Sequence, residues 1–207
     1  MPMQRWLMKS EPDVFSIDHL AKVGTEPWTG VRSFQARNYM MAMKAGDRVL
    51  FYHSSAVPSG VAGVCEVVRE AYPDHSAWQA GGDYFDARST PEKPLWRMVD
   101  VRFVARLPRL VPLDELKAIP ELAGMMLFSH SRLSVQPVDP LHYDLILRLA
   151  ARPPQVGGSP KAASRVKPTK PTKPTKPTKD KAPRATKPKA TKGTATKGRV
   201  TKGRAKR

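Results

Sequence analysis

The sequence contains a single cysteine in 207 residues, Cys65, which lies in the largely apolar run of residues 61–68. One thiol can form neither a disulfide framework within the chain nor a metal site built from several thiolates. Because its sequence neighbours are apolar, Cys65 is predicted to be a packed, unreactive thiol rather than a nucleophile. The histidines, at positions 19, 53, 75, 130 and 142, show no metal-ligand spacing, so neither a metal nor another cofactor is expected.

Long hydrophobic runs are also absent. No stretch approaches the roughly 18 consecutive apolar residues that a membrane-spanning helix needs. The first nine residues lack the basic segment and the long apolar segment of a secretory signal peptide. We therefore expect an intracellular, reduced protein without a membrane partner. In a bacterium its place would be the cytoplasm or nucleoid, and in a eukaryote the nucleus.

The last quarter of the chain has almost no acidic residues and no aromatic ones. Residues 153–207 carry 18 Lys and Arg against one acid, Asp180, whereas residues 1–152 carry 18 basic and 17 acidic residues. A segment without aromatic side chains cannot bury enough apolar surface to offset the entropy of ordering its backbone. The sequence thus predicts one folded domain over residues 1–151 and a disordered, basic Lys/Pro/Thr-rich segment over residues 152–207.

The charge and repeats of this basic segment indicate a polyanionic partner. Residues 167–179 repeat the triplet Lys-Pro-Thr, and a proline at every third position favours extended polyproline II over helix. Lysines at this density neutralise phosphates without reading bases, so we expect non-specific binding to nucleic acid. A membrane surface fits less well, because no apolar helix face accompanies the charge.

Hydrophobic patterning before residue 152 predicts short strands and short helices. Strands are predicted at residues 4–9, 48–53, 61–70, 96–107 and 133–138. Ser16 is predicted to cap a first helix, residues 34–44 form a second, and Asp139 with Pro140 opens a C-terminal helix whose apolar face includes Leu141. Residues 26–32 are predicted to form a loop. Since the strands cluster in the middle, we expect an α+β domain with a mostly antiparallel, barrel-like sheet.

Five short segments are chemically denser than a hydrophobic core requires, at residues 9–12, 28–32, 35–38, 51–54 and 131–138. With these segments in this order, the chain resembles the EVE domain, a branch of the PUA-like superfamily, over residues 4–149. Residues 46–50 and 72–74 also look like the family. The sequence departs from it at Ser33 and Phe34, and at Ser55, where a residue with only one hydroxyl replaces a frequent asparagine.

The resemblance implies a PUA-like β-barrel with flanking short helices and a pocket at one end that reads a modified base. The base would be chiefly a 5-modified cytosine in DNA, with RNA remaining possible, and we expect the protein to be a monomer. The residues that the resemblance and the segments nominate for nucleic-acid binding are Lys9, Ser10, Glu11, Trp28, Gly30, Val31, Arg32, Tyr52, His53, Ser54, Arg132, Leu133 and Ser134.

Several of these residues have two readings from the sequence alone. Trp28 lies in a Pro/Gly loop and could be a stacking platform or a plug over the core; as a platform, its replacement by Ala would weaken binding without unfolding the domain. Arg32 and Arg132 could contact phosphate or a base, or lie on the surface. Ser10 could bond a base edge or cap a turn. His53 is better read as a structural histidine.

The sequence leaves two other function classes open. Some PUA-like relatives are amidohydrolases acting on modified nucleosides, and Lys9 with Glu11 could supply a base and a proton shuttle. Against this, the sequence shows no phosphate-binding glycine loop and no Ser-His-Asp order. The third class is an architectural protein that condenses DNA through its basic segment, with the folded domain as a passenger.

Overall fold

The computed structural model describes residues 3–153. Within that range the chain forms a six-stranded sheet with five α-helices and two 3-10 turns packed against it. The strands are β1 Arg5–Ser10, β2 Thr25–Pro27, β3 Arg48–His53, β4 Gly60–Pro73, β5 Arg97–Pro112 and β6 Val135–Pro137. The helices are α1 Ile17–Val23, α2 Phe34–Ala42, α3 Leu113–Lys117, α4 Met126–Ser129 and α5 Pro140–Ala151, and the 3-10 turns are His75–Trp78 and Pro120–Leu122. The predicted disorder of the basic segment lies, from residue 154 onward, outside the described residues.

The sheet has the strand order β2-β5-β4-β3-β1-β6. The pair β1–β3 is parallel, and the other four neighbouring pairs are antiparallel. The α+β class and the mostly antiparallel sheet are therefore confirmed. The predicted barrel is not supported, because the sheet stays open with β2 and β6 at its edges. Both edge strands are three residues long and end in a proline, Pro27 and Pro137, which has no N–H to extend a ladder.

The sheet buries apolar side chains on both faces. Trp6, Met8 and Phe51 point to the face that α1 and α2 cover, whereas Leu7 and Tyr52 point to the other face. This alternation follows from the two-residue period of a strand. Cys65 is fully buried, and burial raises the pKa of its thiol, which fits the predicted unreactive cysteine. None of the described helices is long and apolar enough to cross a lipid bilayer.

The predicted helix starts are confirmed in atomic detail. The Ser16 hydroxyl accepts the His19 N–H at 3.2 Å, and the His19 ring accepts the Ser16 N–H at 3.1 Å. At α5, the Asp139 carboxylate accepts the Leu141 N–H at 2.8 Å, and Pro140 occupies the first turn. The predicted apolar face of α5 was partly wrong, because Leu141 is 76% exposed and Tyr143 is buried instead. Each cap satisfies an N–H that the helix itself leaves unpaired.

Candidate functional site

A cavity of about 830 Å³ opens where β1 and β3 end. Its walls come from four parts of the chain: residues 9–15, the segment 26–33, the turn after β3 and the segment 131–134, with Tyr84 added from a long loop. The volume lies within the range of small-molecule binding sites in proteins, roughly 300–1,000 Å³. A planar ring therefore has room in this cavity.

Ten of the thirteen residues predicted from the sequence line this cavity: Lys9, Ser10, Glu11, Trp28, Gly30, Val31, Arg32, Ser54, Arg132 and Ser134. Nine further lining residues were not predicted as site residues: Val14, Phe15, Glu26, Pro27, Thr29, Ser33, Ser55, Tyr84 and Ser131. Most of these follow or precede a predicted residue in the chain. Tyr84 does not, and no sequence pattern placed it near the others.

Three predicted residues lie elsewhere. Strand β3 alternates its side chains, so Tyr52 packs in the core on the opposite face, where its hydroxyl donates to Ser59 Oγ at 3.1 Å. His53 Nε2 accepts the Ile17 N–H at 3.1 Å, and thus caps α1 rather than lining the cavity. Leu133 is buried in the apolar core. The structural reading of His53 fits this geometry.

Lys9 ties the end of β1 to the segment 131–134. Its Nζ donates to the Ser131 carbonyl at 2.9 Å, and its own N–H donates to the Ser134 carbonyl at 2.8 Å. The side chain is partly buried, and this burial lowers the pKa of the ammonium group. Arg132 differs from Lys9, because no residue of the described range 3–153 forms an ion pair or hydrogen bond with its side chain. Arg132 is therefore the cavity cation most available to a phosphate.

Hydrogen bonds also fix the turn after β3. The Ser54 N–H donates to the Ser10 carbonyl at 2.9 Å, and the Ser55 hydroxyl donates to Glu11 Oε1 at 2.9 Å. The backbone of Ser55 is left-handed, with φ of 55°, which a residue other than glycine rarely adopts. The contact with Glu11 holds this conformation and brings Glu11 and Ser55 to the same rim of the cavity.

Trp28 belongs to the core as well as to the cavity wall. It is only 8% exposed, and its ring makes edge-to-face contact with Phe51 at a centroid distance of 5.4 Å. Phe15 meets it in a second edge contact at 6.4 Å. Both interpretations of Trp28 are thus partly supported, because this residue lines the cavity and also packs in the core. The expectation that Trp28→Ala would leave the fold intact conflicts with this packing, because truncating a buried Trp costs several kcal/mol.

Arg32 does not reach into the cavity with free donors. Its Nη1 donates to Asp74 Oδ2 at 2.8 Å and to the Val31 carbonyl at 3.0 Å, and its Nη2 donates to Ser76 Oγ at 3.0 Å. Both Nε and Nη2 also donate to the Tyr84 carbonyl. A guanidinium has five N–H groups, and these five contacts engage all of them. This geometry argues against the predicted contact of Arg32 with a phosphate or base.

Asp74 is the buried anchor for Arg32. It is fully buried and accepts hydrogen bonds from Arg32, from the Gly30 N–H at 2.9 Å, and from Ser76. Burial opposes its ionisation, but the hydrogen bonds from Arg32, Ser76 and Gly30 outweigh burial and hold the pKa of Asp74 below its ordinary value. Asp74 is thus a carboxylate at neutral pH.

Tyr84 closes the cavity on the side of the segment 26–33. The ring lies against Gly30, and three of its atoms come within 2.8–2.9 Å of the position that a Cβ on Gly30 would occupy. The Arg32 guanidinium lies 5.7 Å from the ring centroid. Tyr84 is 42% exposed, so much of its ring remains accessible. Across residues 3–153 no group of three or more His, Cys, Asp or Glu side chains is placed to hold a metal ion.

A protein-family model described as the EVE domain matches residues 4–149. The chain belongs to the EVE domain family. Human thymocyte nuclear protein 1 is 40% identical over 168 residues, covering 72% of this chain and 75% of the relative. An uncharacterised protein of Schizosaccharomyces pombe, C21.03c, is 34% identical over 164 residues, covering 72% of this chain and 69% of the relative. The resemblance to the family is therefore confirmed.

Solved EVE domain structures have the same fold. A Leishmania major protein superposes with a TM-score of 0.71 at 53% identity, covering 72% of this chain and 96% of the other. The human THYN1 protein was solved in complex with DNA containing 5-methylcytosine. It superposes with a TM-score of 0.71 at 40% identity, covering 73% of this chain and 99% of the other. A Pseudomonas putida protein has a TM-score of 0.69 at 45% identity, with 70% and 99% covered.

Proposed function

We propose that this EVE domain binds DNA and holds one modified base, a 5-modified cytosine, in the cavity at the ends of β1 and β3. The cavity itself carries the proposal: it has about 830 Å³ of space, and aromatic residues and hydrogen-bonding groups share its walls. The human THYN1 protein, which has the same fold, was solved with DNA containing 5-methylcytosine. That relative supports DNA over RNA and cytosine over other bases.

A cavity lined by aromatic and hydrogen-bonding groups suits the recognition of a small chemical mark. A 5-methyl group adds one carbon, which a hydrophobic site can distinguish by only about 1–3 kcal/mol. The base must leave the duplex first, at a cost of a few kcal/mol. In this proposal Trp28 and Phe15 contact the ring, and Glu11 or Glu26 accepts a hydrogen bond from the exocyclic amine, as carboxylates do with cytosine N4. Arg132 contacts the flanking backbone.

The proposal is tested with residues 1–153 and two duplexes that differ only in the 5-methyl group of one cytosine. The Pseudomonas putida protein is covered over 99% of its length by this fold, so an EVE domain folds without a further domain. We expect binding to the modified duplex to be about 10-fold tighter, the order of discrimination that one carbon gives in a hydrophobic site. Equal dissociation constants would remove the proposal. Matched RNA hairpins decide between the two nucleic acids.

We propose further that the basic segment of residues 152–207 binds phosphates of the same nucleic acid, and that the protein acts inside the cell as a monomer. Its 19 Lys and Arg residues against one acid support this role. If the segment neutralises about 6–10 phosphates, raising the salt concentration from about 50 to 200 mM lowers the binding constant by ~10³–10⁵. The full chain should therefore bind both duplexes more tightly than residues 1–153, with a steeper salt dependence and the same preference for the modified duplex.

This comparison also tests the architectural alternative. If the folded domain were a passenger, residues 1–153 would bind neither duplex, and the full chain would bind both equally. Retained preference in residues 1–153 contradicts that alternative.

An amidohydrolase is the second candidate function, and one observation favours it. Lys9 and Glu11 line the same cavity, and burial lowers the pKa of Lys9, as a catalytic base requires. Each is already engaged, however: Lys9 Nζ donates to the Ser131 carbonyl, and Glu11 accepts from Ser55. Release of a free acid or ammonia from an acylated cytidine, lost in Lys9→Ala, would establish the enzyme. No product from the wild-type chain would exclude that reaction.

A further inference from the structure

We infer that Tyr84 contacts the bound ring together with Trp28 and Phe15, and that Arg32 is the residue that positions Tyr84 rather than a contact to nucleic acid. This inference rests on the proposed function and assigns two residues within the same site. Tyr84 lies 52 residues from Arg32 in the chain, in the loop between the 3-10 turn His75–Trp78 and β5.

The guanidinium of Arg32 is committed to protein partners. Its five N–H groups meet Asp74, Ser76, the Val31 carbonyl and, twice, the Tyr84 carbonyl. Its side chain is 21% exposed, so it would have to give up these bonds to reach a phosphate. The fork shape of the guanidinium matters here. A lysine carries the same charge, but its donors all lie on one nitrogen and cannot reach the same spread of partners.

The buried carboxylate of Asp74 binds both residues that contact Tyr84, namely Arg32 and Gly30. Asp74 accepts the Arg32 N–H at 2.8 Å and the Gly30 backbone N–H at 2.9 Å. Gly30 forms the surface under the Tyr84 ring, and its φ of 80° with no Cβ lets the ring approach closely. Arg32 holds the Tyr84 backbone through its carbonyl. Asp74 therefore ties Arg32 to Gly30 and so helps to hold the Tyr84 ring against Gly30.

Other bonds fix the loop on both sides of Tyr84, and the Phe85 N–H closes a turn across Tyr84 by donating to the Gly82 carbonyl at 3.1 Å. The Asp86 N–H donates to the Ala77 carbonyl, and its carboxylate accepts the Trp96 indole N–H at 2.9 Å. On the other side, the Gly82 N–H donates to the Gln79 carbonyl at 3.0 Å. The contact with Arg32 is thus the tie at Tyr84 itself. It leaves 42% of the residue open, an aromatic surface on which a base can stack.

The inference is tested in the full chain by the ratio of affinities for the modified and the unmodified duplex. We expect Tyr84→Ala to weaken binding to the modified duplex about 10-fold, as the loss of one stacking contact does. The ratio then falls, because in the proposed function the unmodified cytosine occupies the cavity less. Tyr84→Phe keeps the ring and should therefore lower the ratio of affinities less than Tyr84→Ala does. Arg32→Lys should behave like Tyr84→Ala, and the double variant should be no worse than either single one, because both changes remove the same wall. Arg88→Lys, on the same loop but outside the cavity, is the matched control.

The salt dependence separates positioning from phosphate contact. If Arg32 positions Tyr84, Arg32→Met lowers the preference for the modified duplex and leaves the slope of log K against log salt unchanged. If Arg32 contacts a phosphate, Arg32→Lys keeps the affinity and Arg32→Met reduces the slope by about 0.9, which overturns the inference. A wild-type preference in Tyr84→Ala overturns it as well, and this variant removes a partly exposed side chain that the core does not need.

A wild-type chain that binds both duplexes equally would refute the proposed function rather than the positioning role. Trypsin then tests the positioning role directly, because Arg88 lies four residues beyond Tyr84 and its side chain is 68% exposed. Cleavage at Arg88 should be faster in Arg32→Met than in the wild-type chain at the same temperature. Unchanged cleavage would show that Arg32 does not hold this loop.

Discussion

At the scale of single residues, side chains around the cavity serve the fold and the site together. Trp28 contributes a wall and also packs on Phe51, and Arg32 lines the cavity while all its donors bind protein groups. A substitution at such a position changes stability and binding at once. Variants that separate the two effects must therefore keep the buried part of the side chain.

Trp28 gives the first prediction. Trp28→Ala should lower the free energy of unfolding by about 3–5 kcal/mol, because it empties a buried site beside Phe51 and Phe15. Trp28→Phe keeps a ring there and should cost less. Urea unfolding of residues 1–153 measures both. Val14→Ala, at the exposed lip of the same cavity, is the control and should stay within about 0.5 kcal/mol. A Trp28→Ala variant as stable as the control would show that Trp28 is not part of the core.

His53 gives a pH-dependent prediction. Burial lowers the pKa of His53 below 6.5, which the nearby Asp18 opposes only in part, and its neutral Nε2 accepts the Ile17 N–H. The unfolded chain thus takes up this proton at a higher pH than the folded chain. The stabilising effect is fully present above about pH 6.5 and is lost as the pH falls through the lower pKa of the folded state.

The check is stability measured from pH 7 to pH 5. His53→Gln keeps an acceptor for the Ile17 N–H but does not titrate, so it should lose less stability over this range than the wild-type domain. His75→Gln, at an exposed histidine, is the matched control. An identical pH profile in His53→Gln and the wild type would contradict the role of His53.

At the scale of helices and strands, local signals were enough where the structure is local. Ser16, Asp139 and Pro140 mark helix starts through bonds that span two or three residues, and the strand predicted at residues 48–53 has the observed bounds. Strand β2 was missed because its three residues pair with β5, about 75 residues away in the chain. Tyr84 was missed for the same reason, since distant partners at Gly30 and Arg32 bring it to the cavity.

The alternation of β3 explains why one predicted site residue, Tyr52, lies away from the cavity. A dense run of aromatic and polar residues at 51–54 suggested one shared role, but strand geometry sends Tyr52 and Phe51 to opposite faces. The predicted barrel is not supported for a related reason. Local patterns can predict strands, but the closure of a sheet depends on pairing between strands that are distant in the chain. Sequence patterns and the family resemblance thus predicted five of the six described strands and ten of the nineteen cavity residues, and long-range pairing decided much of the rest.

Gly63 provides a test of the contact between α1 and the sheet. A Cβ at this position in β4 would lie 2.4 Å from Ile17 Cγ1 and 2.9 Å from the Ala105 carbonyl oxygen. Gly63→Ala should therefore push α1 away from the sheet and destabilise the domain by about 1–3 kcal/mol. Gly124→Ala is the matched control, because its Cβ would meet only His142 at 3.9 Å. Equal thermal midpoints for the two variants would contradict the close packing of α1.

At the scale of the whole molecule, the chain divides its charge and its chemistry. Residues 1–152 are nearly neutral, with 18 basic and 17 acidic residues, and they contain the cavity. Residues 153–207 supply 18 basic residues against one acid. We interpret this division as selectivity in the EVE domain and salt-dependent affinity in the basic segment, two properties that truncation at residue 153 separates.

The four tryptophans allow the central claim to be measured at the cavity itself. Trp28 lines it, whereas the indoles of Trp6, Trp78 and Trp96 donate to Asp47, Ser89 and Asp86 away from it. A nitrogen-15-labelled protein of residues 1–153 is titrated with a short single-stranded DNA that contains one 5-methylcytosine. The indole N–H signals are followed by NMR. We predict that the Trp28 signal shifts to saturation, that Trp6 stays unmoved, and that the unmodified strand gives a much weaker response. DNA binding that leaves Trp28 unmoved, or equal shifts with both strands, would contradict the account.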